Sequence, residues 1–202
     1  MSDDTKRADK DPERSAGRQD SPAAPLPRQR PARTPFPAFA CDAMLKGLAR
    51  WLRAFGYDAT WRYGIEDGEL VAHSLEERRV LLTSDSGLMR RRAIREGHPA
   101  ALFIPRDLSV DEQLRFVAGT FELRRRRPRC MRCGGALRRV PKESVRDEAP
   151  PKTFLWLDEF YRCGRCGGLF WKGTHWQRIA RTVGRCLDRP GRAHRDPGRD
   201  LG

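Results

Sequence analysis

One six-residue pattern occurs twice in this chain, CMRCGG at 130–135 and CGRCGG at 163–168. Two residues between thiols let both sulfurs face one ion. The glycines let the chain turn tightly, so that backbone N–H groups can point at the thiolates. Four sulfurs, from Cys130, Cys133, Cys163 and Cys166, can close a tetrahedron, the signature of structural zinc. Such a closed site has no open position for substrate, so this zinc is not expected to be catalytic. The 29 residues between the pairs exceed the commonest spacing, so the connection must hold a strand or loop of its own.

The repeat divides the chain into a metal-stapled module near the C-terminus and a larger one before it. At 202 residues there is room for one medium domain and one small one. Residues 1–36 and 181–202 are rich in charge, Pro and Gly and poor in apolar side chains, which reads as a disordered arm and tail. The 41 Lys and Arg against 27 Asp and Glu give a net charge of +14, which draws the chain toward polyanions, nucleic acid first. No stretch approaches the roughly 20 apolar residues of a membrane span. Residues 1–40 hold no apolar core of a secretory signal. Cys41 and Cys186 have no partner at a paired spacing. Zinc-bound and leftover thiols fit a reducing cytoplasm better than a disulfide framework.

Between the tails the pattern turns periodic. Residues 39–41 form a short apolar run. Met44, Leu45, Leu48, Ala49, Leu52 and Phe55 then recur at helical spacing up to Gly56. A strand is expected over 57–63, a helix from near Asp67, and a buried strand over 80–83. A very basic helix over 87–96 and a strand over 100–104 follow. Ser109 and Glu112 form a capping box ahead of a last helix. This alternation predicts an α/β fold with a parallel sheet and helices on both faces.

In such a sheet the functional crevice lies beyond the carboxyl ends of the strands. Asp42 and Asp85 stand at two of those ends, and Asp67 opens the second helix with Glu66 and Glu69 close by. Carboxylates converging on one crevice repel each other, and a hard cation such as Mg²⁺ or Mn²⁺ relieves that repulsion. An ion of this kind can activate a water and steady charge on a phosphate being cleaved. Each aspartate alone also suits a helix N-cap.

Several segments bring a family into view: FACDAMLKGLARWLRAFGYD, EDGELVAHS and RVLLTSDSGL, then CMRCGGALRRVPKESV and DEFYRCGRCGGLFWKGTHW. In this order they resemble the PIN-like nucleases, and among them the Mut-seven C-terminal RNase type. The likeness covers roughly residues 38–180. It implies a three-layer α/β/α PIN-like domain over 37–126 and a four-cysteine zinc ribbon over 127–180. It also implies metal-dependent hydrolysis of RNA at an acidic cluster. By position, Asp42 matches the acid after the first strand, Asp67 the acid opening the second helix, and Asp85 the acid of the Thr-x-Asp motif. For a fourth acid, Asp107 and Glu69 are the candidates.

RNA is accordingly the expected partner. Arg90, Arg91, Arg92 and Arg95 follow Asp85 on the basic helix, and Arg50 and Arg53 flank the first helix. The run 124–127, with Arg125 and Arg126, packs like charges together. Single strands are gripped by charge together with stacking. Phe170 and Trp171 are expected to serve mainly the ribbon's own core, leaving Trp176 as the stacking candidate. His73, His98 and His175 are read as bystanders. The rival reading is a non-catalytic nucleic-acid-binding or adaptor protein, in which the acids are helix caps.

Overall fold

Strand alternation sets the layers of the larger unit. In this computed structural model, residues 36–173 and positions 177, 181 and 184 are described. The expected arm, apart from Phe36, and most of the expected tail lie outside the described residues, as do Trp176 and His175. The chain runs β1 (Phe39–Cys41), α1 (Lys46–Phe55), β2 (Ala59–Trp61), α2 (Asp67–Glu76), β3 (Val80–Thr83), α3 (Ser86–Met89), α4 (Arg92–Arg95), β4 (Ala101–Phe103) and α5 (Val110–Thr120). The four strands pair in parallel in the order β2-β1-β3-β4.

Phe39, Cys41 and Leu82 pack on one face against Leu48, Leu52 and Phe55 of α1 and Leu114 and Val117 of α5. Ala40 and Leu81 pack on the other face against Leu70 of α2, Leu88 of α3 and Ile94 of α4. Both faces are covered, as parallel strands require. The expected three-layer α/β arrangement is therefore present. The capping box at Ser109 and Glu112 also forms as expected.

Two expectations need correction. The helix over 87–96 is broken: Arg91 is extended (φ −59°, ψ 138°), and α3 and α4 are separate turns. A continuous helix would rotate Ile94 about 120° away from Leu88 at 3.6 residues per turn. The break lets both side chains reach the sheet. The strand over 57–63 shrinks to β2. Tyr57 is buried and its hydroxyl bonds the backbone of Arg124, whereas Tyr63 is fully in solvent.

The smaller unit is an antiparallel sheet of β5 (Leu137–Val140), β6 (Phe160–Cys163) and β7 (Leu169–Trp171), in the order β5-β6-β7. The long connection between the cysteine pairs holds β5 and the short helix α6 (Pro151–Trp156). Phe160 and Val145 centre a small core with Phe154, Leu157, Leu169 and Trp171. Trp171 serves that core as expected. Phe170 does not belong to it, because it alternates to the opposite side of β7.

The two units are joined at the C-terminal end of α1. Gly56 ends the helix at φ 103°, and a Cβ there would lie 2.6 Å from Arg126, so the returning chain fits only against glycine. Arg126 N–H donates to the Phe55 carbonyl at 3.0 Å, and Arg129 N–H to the Arg53 carbonyl at 2.9 Å. Arg53 itself is 4% exposed. Its guanidinium donates to Ala59 at 2.7 Å and to both Met131 and Arg132 at 3.1 Å, all through backbone carbonyls. Arg53 was expected among the phosphate contacts; burial removes it from that role.

Arg53→Leu leaves three interior carbonyls without a charged donor. It is expected to lower stability by at least about 3 kcal/mol, measured by urea unfolding. Limited proteolysis at 124–129 should also become faster.

Candidate functional site

The repeated sequence builds a repeated turn. In the first pair, Cys130 N–H donates to Gly135 O at 2.9 Å and Gly134 N–H to Cys130 O at 2.7 Å. In the second, Cys163 N–H donates to Gly168 O and Gly167 N–H to Cys163 O, both at 3.0 Å. The first glycine of each pair takes a left-handed backbone, φ 79° at Gly134 and φ 68° at Gly167. Amides then reach the sulfurs: Gly135 N–H to Cys133 Sγ at 3.5 Å and Arg165 N–H to Cys163 Sγ at 3.4 Å.

All four sulfurs lie within 4.8 Å of one another. Cys130 and Cys166 are 3.7 Å apart, and Cys133 and Cys163 3.4 Å. A tetrahedron with Zn–S bonds of about 2.3 Å has sulfur–sulfur edges of about 3.8 Å. The four cysteines therefore have the donor type and spacing to hold zinc. Burial pushes the Cys130 thiol up to about 12. The Gly168 amide leads the interactions that hold Cys166 down to about 6. Bound metal would ionise all four, since a coordinating thiol loses its proton outright.

Sequence reasoning missed the arginines inside the repeat. Arg132 donates to the Cys166 carbonyl at 3.4 Å, and Arg165 to the Cys133 carbonyl at 3.0 Å. Each sits third in its own Cys-x-x-Cys and reaches the last cysteine of the other. That shared position was the available signal. Together they cross-link the two cysteine turns, and would offset negative charge on the sulfurs once a metal ionised them. Cys41 is fully buried and its thiol is raised to about 12 by that burial, which makes it an inert part of the core.

The acidic residues lie at the carboxyl edge of the parallel sheet. Asp42 follows β1 and Asp85 follows β3, on neighbouring strands. Buried Thr83 links them: its hydroxyl donates to Asp42 Oδ2 at 2.6 Å and accepts the Asp85 N–H at 2.9 Å. Both aspartates also cap helical turns. Asp42 Oδ1 accepts Met44 N–H at 3.0 Å, and Asp85 Oδ1 accepts Gly87 N–H at 2.6 Å. Asp67 is the first residue of α2 rather than its cap, and its carboxylate pairs with Arg91 at 3.1 Å. Glu69 is paired with Arg62. Asp107 is exposed on the loop after β4, next to Arg106, which donates to the Ser84 carbonyl at 2.9 Å. Among the described residues, the four cysteines form the one group of three or more potential ligands within metal-binding range.

The candidate phosphate contacts fare unevenly. Arg91 is held by Asp67, and Arg92 by Glu96 at 2.7 Å. Arg90 bonds the Ser86 carbonyl and hydroxyl. Arg126 lies 4.0 Å over the Phe36 ring. Arg125 is exposed. Of the histidines, His73 bonds the Thr60 hydroxyl at 3.0 Å and adjoins Glu77, a structural position, while His98 is exposed.

Chain purified intact is expected to carry one zinc per molecule by elemental analysis. Cys133→Ser combined with Cys166→Ser should abolish it and loosen the β5–β7 unit. The first sheet should remain folded but melt earlier, because the cysteine turn supplies carbonyls to Arg53.

No helix among the described residues is long and apolar enough to cross a membrane. Comparison with curated proteins and with solved structures gives no match. The family model for the Mut7-C RNAse domain matches residues 37–183, through both sheets and the cysteine repeat. The chain belongs to the Mut7-C RNAse domain family.

Proposed function

We propose that this protein is a metal-dependent ribonuclease that hydrolyses RNA phosphodiesters at the carboxyl edge of its parallel sheet. The observation that carries the reading is the Asp42–Thr83–Asp85 chain of hydrogen bonds, which fixes two acids on adjacent strands of an RNase-family domain. Their carboxylates are hard oxygen donors, the type that Mg²⁺ and Mn²⁺ take. Asp42 and Asp85 would hold the ion, and Asp67 would join them on leaving Arg91. An ion there would supply Lewis acidity toward the phosphate and lower the pKa of a water. The chain's own part is to orient. Thr83 donates the hydrogen bond that fixes Asp42 Oδ2, and the Gly87 N–H fixes Asp85 Oδ1. Arg90 and Arg125 would steady the RNA backbone, and the cysteine-stapled ribbon would help retain the strand.

A second reading, a non-catalytic RNA-binding or adaptor protein, draws on specific observations. Asp42 and Asp85 each cap a helical turn, and Asp67 already has an arginine partner. The two readings separate by experiment. Asp42→Asn and Asp85→Asn are each expected to slow cleavage of labelled RNA in Mn²⁺ by about 100-fold or more, with normal folding. Wild-type protein that binds RNA equally with and without Mn²⁺ and releases no shortened fragments would favour the adaptor.

A further inference from the structure

A groove of about 620 Å³ runs between α1 and the second sheet. Five basic residues line it, Lys46, Arg50, Arg53, Arg129 and Arg132, and no carboxylate does. Lys46, Arg50 and Arg53 fall on one face of α1 at helical spacing. They track about 10 Å of helix at 1.5 Å per residue. Lys46 and Arg50 are exposed, so their charges face solvent. Between the charges the walls are aromatic, with Trp61 on the sheet side and Phe170 and Trp171 on the ribbon side.

The mouth of this groove adjoins the acidic edge. Trp61 ends β2 and its indole N–H donates to the carbonyl of Ala43, the residue after Asp42, at 2.9 Å. The Lys46 ammonium lies 5.1 Å from the centre of the Trp61 ring. Phe170 has left the ribbon's core for this wall, with a half-buried ring. Arg53 is taken up by backbone carbonyls and Arg129 pairs with Asp58 at 3.7 Å, which leaves the exposed Lys46 and Arg50 to act beside this half-buried ring. Charge next to an aromatic face is the combination that grips unpaired bases and their phosphates.

We infer that this groove binds a single strand of RNA, with bases against Trp61 and Phe170 and phosphates on Lys46 and Arg50. The strand would then be delivered to the edge beside Asp42. The inference rests on the ribonuclease reading for the identity of the polymer, but not for the site. A duplex keeps its bases stacked on each other and cannot offer them to the walls. An acidic peptide could meet the charges, yet it would leave the aromatic walls without a matching face.

The test uses full-length, zinc-loaded protein in buffer without added Mg²⁺ or Mn²⁺. Fluorescence anisotropy follows a labelled single-stranded RNA, a duplex of the same length, and poly-glutamate. Arg50→Glu and Phe170→Ala are each expected to weaken single-strand binding about tenfold. Phe170→Tyr should keep it. Lys152→Glu, an exposed change on α6 away from the groove, should alter it less than twofold. The salt dependence should flatten by about one phosphate contact in Arg50→Glu. Unchanged affinity in Arg50→Glu and Phe170→Ala, with normal zinc content, would overturn the groove. Equal affinity for duplex, or for poly-glutamate, would overturn it also. Asp42→Asn measured alongside keeps the two ideas apart. Loss of cleavage with full binding in that variant supports the acidic edge whatever the groove variants do. Lost binding in the groove variants supports the groove even where no cleavage is seen.

Discussion

One buried guanidinium holds the architecture together. Arg53 lies at the end of α1, under both the parallel sheet and the first cysteine turn, and it reaches backbone carbonyls of each. A charge taken from water is costly unless its donors are satisfied. Here a planar fork of N–H groups meets oxygens from β2's start and from residues 131 and 132, a geometry that a lysine ammonium could not match. The cysteine turn is thereby not a free appendage. Its position relative to α1, and so the width of the cleft between them, is set by this side chain and by the chain returning over Gly56.

The basic character of the sequence is distributed more locally than a net charge implies. Arg79 serves Asp58 and Glu77, Arg162 serves Glu148, and Arg91 and Arg92 serve Asp67 and Glu96. These arginines close turns and tie elements, so much of the positive charge is neutralised in place. Along the cleft, Lys46 and Arg50 of α1 gather with Arg132 of the first cysteine turn, while Arg129 beside them pairs with Asp58 at 3.7 Å.

Much of this was legible beforehand, for physical reasons. Alternation of strands with segments of helical spacing specified the parallel sheet, and repeated Cys-x-x-Cys-Gly-Gly specified equivalent turns. Ser109 and Glu112 announced a helix start that formed as read. The carboxyl-edge position of Asp42 and Asp85 follows from strand order alone. What stayed hidden depends on three-dimensional competition. The pairing of Asp67 with Arg91 depends on the break between α3 and α4, where Arg91 is extended and Leu88 and Ile94 both reach the sheet. Phe170 looked like ribbon core because aromatic residues in small sheets usually are; only the pairing of β7 with β6 shows which side it takes. Arg53 looked like a surface cation because the carbonyls that bury it arrive from residues almost eighty positions away.

Thr83 carries an implication for assembly of the sheet. Its buried hydroxyl finds partners only when β3 lies against β1 with Cys41 beside Leu82. Sliding β3 by one residue would bring Leu82 or Ser84 opposite Asp42 and turn each strand's apolar side chains to the wrong layer. The threonine oxygen would then be stranded in the interior without a mate. A contact that orders the acidic edge thereby also favours the native strand alignment over its slipped neighbours.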